Sequence, residues 1–293
     1  MYSGIAGMKN FQTKLDVIGN NIANVNTAGF KKGRVTFQDM LSQTSQGAQG
    51  FTEARGGINA KQVGTGSQIG SIDNIHTQGF QQNTTNTLDM MVQGDGMFVI
   101  DRDGESVFTR SGNFTLDGSI VKQAIKDADG TAIKDEAGND PEVTLLVNSD
   151  GYRVLNTEGN PIYIPKGAES MSVQKNGSIA FVYNGKNYQT EKPIALASMS
   201  NPSGLEKIGA NLYRNTPNTG FSLLTPTAPN KDIYPSPGSY GTGDIISGVL
   251  EMSNVDLSEE FTEMITAQRA FQANTRIITT SDEILQELVN LKR

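Results

Sequence analysis

Few side chains in this sequence could carry chemistry. His76 is the only histidine and there is no cysteine, so a histidine base would have no thiol to activate and no second imidazole with which to share a metal. Asp101-Arg102-Asp103-Gly104-Glu105 and Asp127-Ala128-Asp129-Gly130 set acidic oxygens at alternate positions, the spacing by which a loop converges on calcium. Neither completes a ligand set: the first lacks a closing acid, and the second has Thr131 at its third ligand position. Asp-Gly steps of this kind are first of all tight turns. Gly64-Thr65-Gly66-Ser67-Gln68-Ile69-Gly70 approaches a dinucleotide-binding turn, but its last glycine comes one residue late and no strand-turn-helix unit surrounds it. Asp95, in Gln93-Gly94-Asp95-Gly96, reads as a turn residue entering a strand. No catalytic, cofactor-binding or metal residue is expected, and the chain is read as a non-enzyme with no cofactor.

Composition narrows the classes further. Lys and Arg number 24 against 31 Asp and Glu, a net charge of -7, which repels phosphate backbones and anionic lipid. Nucleic acid and membrane insertion are therefore not expected. The 293 residues, 36% apolar with 32 glycines, are globular in composition and sufficient for about two domains. No apolar run is long enough to span a bilayer, and the polar, Asn-rich N-terminus is unlike a cleavable secretory signal.

The elements that would position any site fall into a nested order. Met8, Phe11, Leu15, Ile18, Ile22 and Val25 alternate spacings of three and four, the stripe of one helical seam. Leu257, Met264, Phe271, Ile278 and Leu285 recur every seven residues, and Phe261 widens that face. Ser253, Asn254 and Ser258, followed by Glu259 and Glu260, predict a capped start for this second helix. Between the helices the pattern changes to short strands around Asp95-Gly96, Asp103-Gly104, Asp117-Gly118, Asp129-Gly130, Asp150-Gly151, Asn176-Gly177 and Asn184-Gly185. These dipeptides supply the positive φ angles of hairpin turns, so an antiparallel β domain is expected. Strands are predicted at 97–100, 107–110, 113–116, 178–183 and 193–198.

The expected fold is α+β. Residues 1–30 and 252–293 form a terminal coiled-coil helical domain, residues 31–75 and 214–251 are extended connectors, and residues 76–213 are a mainly antiparallel β domain with a hairpin excursion at about 122–150. Each terminal stripe is too apolar to leave in water, so the helices must pair with each other or with other chains. The twelve seam residues named above are the expected subunit-contact residues. A contact of this kind that does not close into a ring builds an open helical polymer.

The run Leu15 to Lys32, LDVIGNNIANVNTAGFKK, resembles the signature of the bacterial flagellar rod and hook axial proteins. Tyr2-Ser3-Gly4 with Gly7-Met8, Gln93 to Phe98, Asn201-Pro202 through Tyr213, and Ser253 to Leu285 are similar to the same family. Arg34 to Met40 and Gly70 to Gly79 look like the short hook protein of Gram-positive flagella. The resemblance implies a hook subunit that polymerises into a curved tube and transmits torque as a flexible joint; the alternative is the distal rod, a rigid shaft with the same ends. It also implies terminal helices in concentric layers, export without a cleaved signal peptide, and an extracellular place in the flagellum. Implied partners are further copies of the chain, the rod, the hook-filament junction and hook cap proteins, and the export apparatus. A secreted surface enzyme or an adhesive module are the remote alternatives.

Overall fold

The computed structural model describes residues 2–51, 55–122, 125–127, 132–134, 141–221 and 234–291. The chain divides into two compact units, one of Met1–Val25, Lys32–Ile75 and Val255–Arg293, the other of Asn26–Lys31 and His76–Asn254. The first is called here the helical unit and the second the β unit.

The helical unit contains helix α1 (Tyr2–Ala23), strands β1 (Gly33–Asp39), β2 (Ser42–Gln46), β3 (Lys61–Gly64) and β4 (Ser67–Asn74), and, after the β unit, helix α2 (Leu257–Leu291). The Asp256 carboxylate accepts from the Ser258 amide at 2.8 Å and caps α2, with Glu259 and Glu260 in its first turn. The cap is thus Asp256 rather than Ser253 or Asn254. Helix α1 ends at Ala23, so Val25 lies beyond the helix on which its spacing placed it. β1 and β4 pair antiparallel with a register shift between Thr36 and Phe37, and β2 pairs with β3 as a hairpin exposed along both strands. Residues 31–75 are therefore largely paired strands where extended connectors were expected. Their Gln, Ser and Thr residues hid the period, because neither face of β2 or β3 is buried.

In the β unit, strands β5 (Gln81–Asn83), β6 (Met90–Gln93), β7 (Met97–Arg102), β8 (Glu105–Thr109) and β9 (Thr115–Lys122) lead into an antiparallel nine-stranded sheet. Its order runs Tyr163–Pro165, Glu142–Val147, Arg153–Val154, β7, β8, Leu212–Arg214, Glu206–Gly209; Leu196–Ala197 also pairs with β7, and β9 with Glu142–Val147. β7 buries both faces. Phe98 and Ile100 enter one core with Met90, Phe114, Leu146 and Ile194, while Met97 and Val99 enter another with Phe108, Tyr213 and Tyr234. That explains why Met97-Phe98-Val99-Ile100 is an unbroken apolar run. Phe98 and Phe114 meet edge to face, centroids 5.1 Å apart at 88°; burying each such ring is worth about 1.5–3 kcal/mol.

The turn dipeptides have different fates. Asp103 and Gly104 take φ 53° and 89° between β7 and β8, and Asn184 and Gly185 take 51° and 69° between Ile179–Tyr183 and Lys186–Gln189. Asp117-Gly118 instead lies inside β9, at a register shift against Val143 and Leu145; a bulge, not a turn, uses this glycine. Asp129-Gly130 lies outside the described residues. Of the 122–150 excursion, Ile125–Lys126 and Ala132–Ile133 do pair antiparallel, but Glu142–Val147 is a buried strand of the main sheet. Residues 244–251, expected as connector, form Asp244–Ser247 on β6 and Val249–Glu251 on β5.

Candidate functional site

Within the helical unit α1 and α2 run antiparallel. Gly4 faces Ile277 and Ile278, Gly7 faces Asn274, Lys14 bridges Glu263 at 3.0 Å, and Asn21 donates to the Glu260 carboxylate at 3.2 Å. A Cβ on Gly7 would stand 2.8 Å from Asn274 Nδ2, so glycine there permits the close approach of the two helices. The stretch of α2 from Asp282 to Leu291, about 15 Å long, lies beyond the part of α2 that faces Gly4 at Ile277 and Ile278. Along it Ile284, Leu285, Leu288, Val289 and Leu291 are exposed, Leu291 by 83%.

The expected seam residues divide according to this geometry. Ile18 is buried, Met8, Phe11, Leu15 and Ile22 are half-buried on α1, and Met264, Phe271 and Ile278 are half-buried on α2. Leu257, Phe261 and Leu285 are exposed, and Val25 is half-buried in the turn after α1. Among the described residues of α1, the buried positions are Gly4, Gly7, Asn10, Ile18 and Asn21. The intramolecular seam thus runs through small and amide side chains, and most of the large apolar stripe keeps one side uncovered. Asn10, 6% exposed, donates to Ser67 Oγ at 2.9 Å.

The polar residues of Leu15–Lys32 have structural work that a periodicity search passes over. In the helical unit Asn21, 1% exposed, donates to the Gly33 carbonyl at 2.9 Å and accepts from the Gly33 amide at 2.9 Å. Glu260 is buried beside it, and burial, only partly offset by Asn21, raises its carboxyl above the ordinary range. In the β unit Gly29 (φ +70°) donates to the Glu251 carbonyl at 2.8 Å. Phe30 is buried under the Lys207 ammonium, 4.6 Å from the ring centre.

Lys31 completes a buried ionic network. Its ammonium donates to Glu251 Oε1 at 2.6 Å and to the Thr77 carbonyl at 2.7 Å. Arg110 reaches Glu251 Oε2 at 3.2 Å and the Gly94 carbonyl at 2.7 Å. Gly79 N donates to Glu251 Oε1 at 2.9 Å. The Lys31 and Glu251 side chains are both 0% exposed. Burial would raise the Glu251 carboxyl, but Arg110, Lys31 and the Gly79 amide together hold it below its ordinary value. Burial lowers the Lys31 ammonium, Glu251 opposes that, and Arg110 adds to it. Glu251 is therefore the anion on which two buried cations depend.

Gly29→Ala should destabilise the β unit by about 2–4 kcal/mol, combining a left-handed non-glycine conformation with overpacking. Its Cβ would lie 2.5 Å from Ser111 N and 2.7 Å from the Arg110 carbonyl carbon, both backbone atoms. Urea unfolding followed by circular dichroism measures this, and a midpoint equal to that of the parent chain would refute it.

Comparison with known proteins bears on what these helices and this network belong to. The profile of the family "Flagella basal body rod protein" matches residues 1–31, that of "Flagellar hook protein FlgE/F/G D1 domain" matches 91–181, and that of "Flagellar basal body rod FlgEFG protein C-terminal" matches 246–291. The chain is 51% identical to "Flagellar basal-body rod protein FlgG" of Bacillus subtilis (strain 168), over 100% of this chain and 98% of that one. The chain belongs to the flagellar rod and hook protein family. It is also 35% identical to "Flagellar basal-body rod protein FlgG" of Caulobacter vibrioides, covering 98% of this chain and 97% of the relative. With "Flagellar hook protein FlgE" of Borreliella burgdorferi it shares 32% identity over an alignment of 448 residues, covering 100% of this chain and 99% of the relative. That hook protein therefore carries extra segments which this rod-and-hook family member lacks. The comparisons favour the rod reading over the hook reading that residues 34–40 and 70–79 suggested.

Proposed function

We propose that this chain is a distal rod subunit of the bacterial flagellum, packing with further copies of itself into a straight, stiff tube that transmits torque. The observation that carries the rod reading is the 51% identity, along the whole chain, to a protein named as flagellar basal-body rod protein. The uncovered side of the helix stripes and the overhang Asp282–Leu291 support polymerisation, since apolar faces of this kind gain about 25 cal/mol per Å² when another copy covers them. The helical unit forms the inner, load-bearing layers and the β unit the outer wall. Adjoining axial proteins meet the ends of the tube, and the chain reaches them through the flagellar export apparatus without a cleaved signal. No step of this function requires bond-making chemistry.

Electron microscopy of the concentrated full chain, beside a version spanning residues 26–254, tests the reading. The cut is set by the fold: removing residues 1–30 would also strip Gly29 and Phe30 from the β unit. Straight tubes from the full chain with monomers from the shortened one are expected. Curved tubes would restore the hook, and monomers from both at high concentration would overturn the polymer reading.

A further inference from the structure

His76 stands among charged groups from several parts of the β unit and pairs with none of them. Its ring lies edge-on to Tyr213 with centroids 5.6 Å apart, and neither imidazole nitrogen has a hydrogen-bond partner or reaches the surface. Lys31, Arg110 and Lys207 each place positive potential on the ring. Glu251, the nearest anion of the network, is already taken by Lys31, Arg110 and the Gly79 amide. The Tyr213 hydroxyl is kept neutral because burial raises it. Asp95, in the turn between β6 and β7, borders the same cavity of about 190 Å³ without bonding the ring. A neutral imidazole is tolerated in this place. An imidazolium would bring two unmet donors and one more positive charge into a region that already holds three cations.

The groups around it hold the stretches by which the chain enters and leaves the β unit. Lys31 ends one such stretch and His76 begins another. Thr77 receives Lys31 Nζ on its carbonyl at 2.7 Å and Asn254 Nδ2 on its hydroxyl at 2.9 Å. We propose that His76 is a proton sensor: when its imidazole takes up a proton, the clamp that Lys31, Arg110 and Glu251 form around residues 77–79 opens and frees these stretches.

The direction in pH follows from the closed and open forms. In the closed form burial first, then Lys31, Arg110 and Lys207, lower His76 from 6.5 to about 4; in the open form it returns to its ordinary value. Between those values the open form binds more protons than the closed one, so acid favours opening. The effect is absent above about 6.5 and complete below about 4, with a total change in the opening equilibrium on the order of a few hundredfold.

The test uses the full-length chain at a dilution where it is monomeric. Because His76 is the only histidine, one imidazole signal in a heteronuclear NMR titration reports it alone. Amide exchange protection at Gly79 and Gly29 is measured on the same samples between pH 4 and 7. The expected result is an imidazole that stays neutral to well below 6.5, with protection at both glycines falling as acid is added and protection at Phe98 unchanged. In His76→Phe the protection at Gly79 should become independent of pH. An imidazole titrating at or above 6.5 with undiminished protection would overturn the proposal, and would mean that Asp95 pairs with the charged ring. The same loss of protection in His76→Phe would also overturn it; if that variant fails to fold, the titration and exchange of the parent chain still decide.

Discussion

Glu251→Gln should cost the β unit about 3–5 kcal/mol, the range observed when one partner of a buried ionic network is removed. Glutamine keeps the shape and one acceptor oxygen but supplies no charge. Lys31 at 0% and Arg110 at 4% exposure would then be buried cations without a counterion. Lys31→Met is the instructive contrast, because it leaves the Glu251–Arg110 pair at 3.2 Å intact and substitutes an unbranched apolar chain of similar length. It should cost clearly less, and the double variant should show coupling rather than addition, because the two side chains touch. Urea unfolding of the four proteins, followed by far-ultraviolet circular dichroism, supplies the cycle. A Glu251→Gln variant within about 1 kcal/mol of the parent would mean that water already shares these charges, and that the network is less essential than its burial implies.

Ending the chain after Ser281 should weaken polymer assembly at least about a hundredfold while leaving a folded monomer. The deletion removes the overhang Asp282–Leu291, in which Ile284, Leu285, Leu288, Val289 and Leu291 are exposed, and spares the contacts of α2 with α1 at Asn274, Ile277 and Ile278. Little intramolecular burial is lost. If another copy covers those five side chains, each contributes about 1.5–3 kcal/mol on burial, and each 1.4 kcal/mol is a tenfold change in association. The critical concentration for assembly should rise by at least about a hundredfold. Pelleting assays over a concentration series measure it, with thermal unfolding to show that the monomer is intact. Tubes forming at the parent's critical concentration would show that the overhang faces water in the polymer as well.

Local patterns were legible where local physics decides them. The α1 stripe from Met8 to Ile22 and the α2 heptads report helices because side-chain period is a property of the segment. Asp103-Gly104 and Asn184-Gly185 report hairpins because their positive φ angles are intrinsic to those residues. Asp117-Gly118 is misleading because the dipeptide sits within β9 at a register shift without a positive φ at Gly118, and only the partner strand around Val143 to Leu145 shows that no turn is made there. Lys31, Arg110 and Glu251 were not legible as a network, since Lys31 and Arg110 reach Glu251 across 220 and 141 positions of sequence. Asn21 lies within the run Leu15 to Lys32 but is not legible there as a contact residue, because an amide on an amphipathic helix reads as surface until Gly33 and Glu260 are seen beside it. The signal available was an unusual one: several asparagines in one helix and its following turn, a residue type that helices otherwise disfavour.

The division of the chain also sets an order of folding. The helical unit is made from segments on both sides of the β unit's main stretch, with His76–Asn254 between Lys32–Ile75 and Val255–Arg293 and only Asn26–Lys31 of the β unit lying earlier, so α1 has its partner only once α2 is present. Closing so long an intervening loop carries a large entropic cost while that segment is unfolded, and a much smaller one once the β unit has collapsed and brought its two ends together. A chain emerging N-terminus first would therefore complete its β unit while α1 still waits, and the helix pair would be the last structure to close.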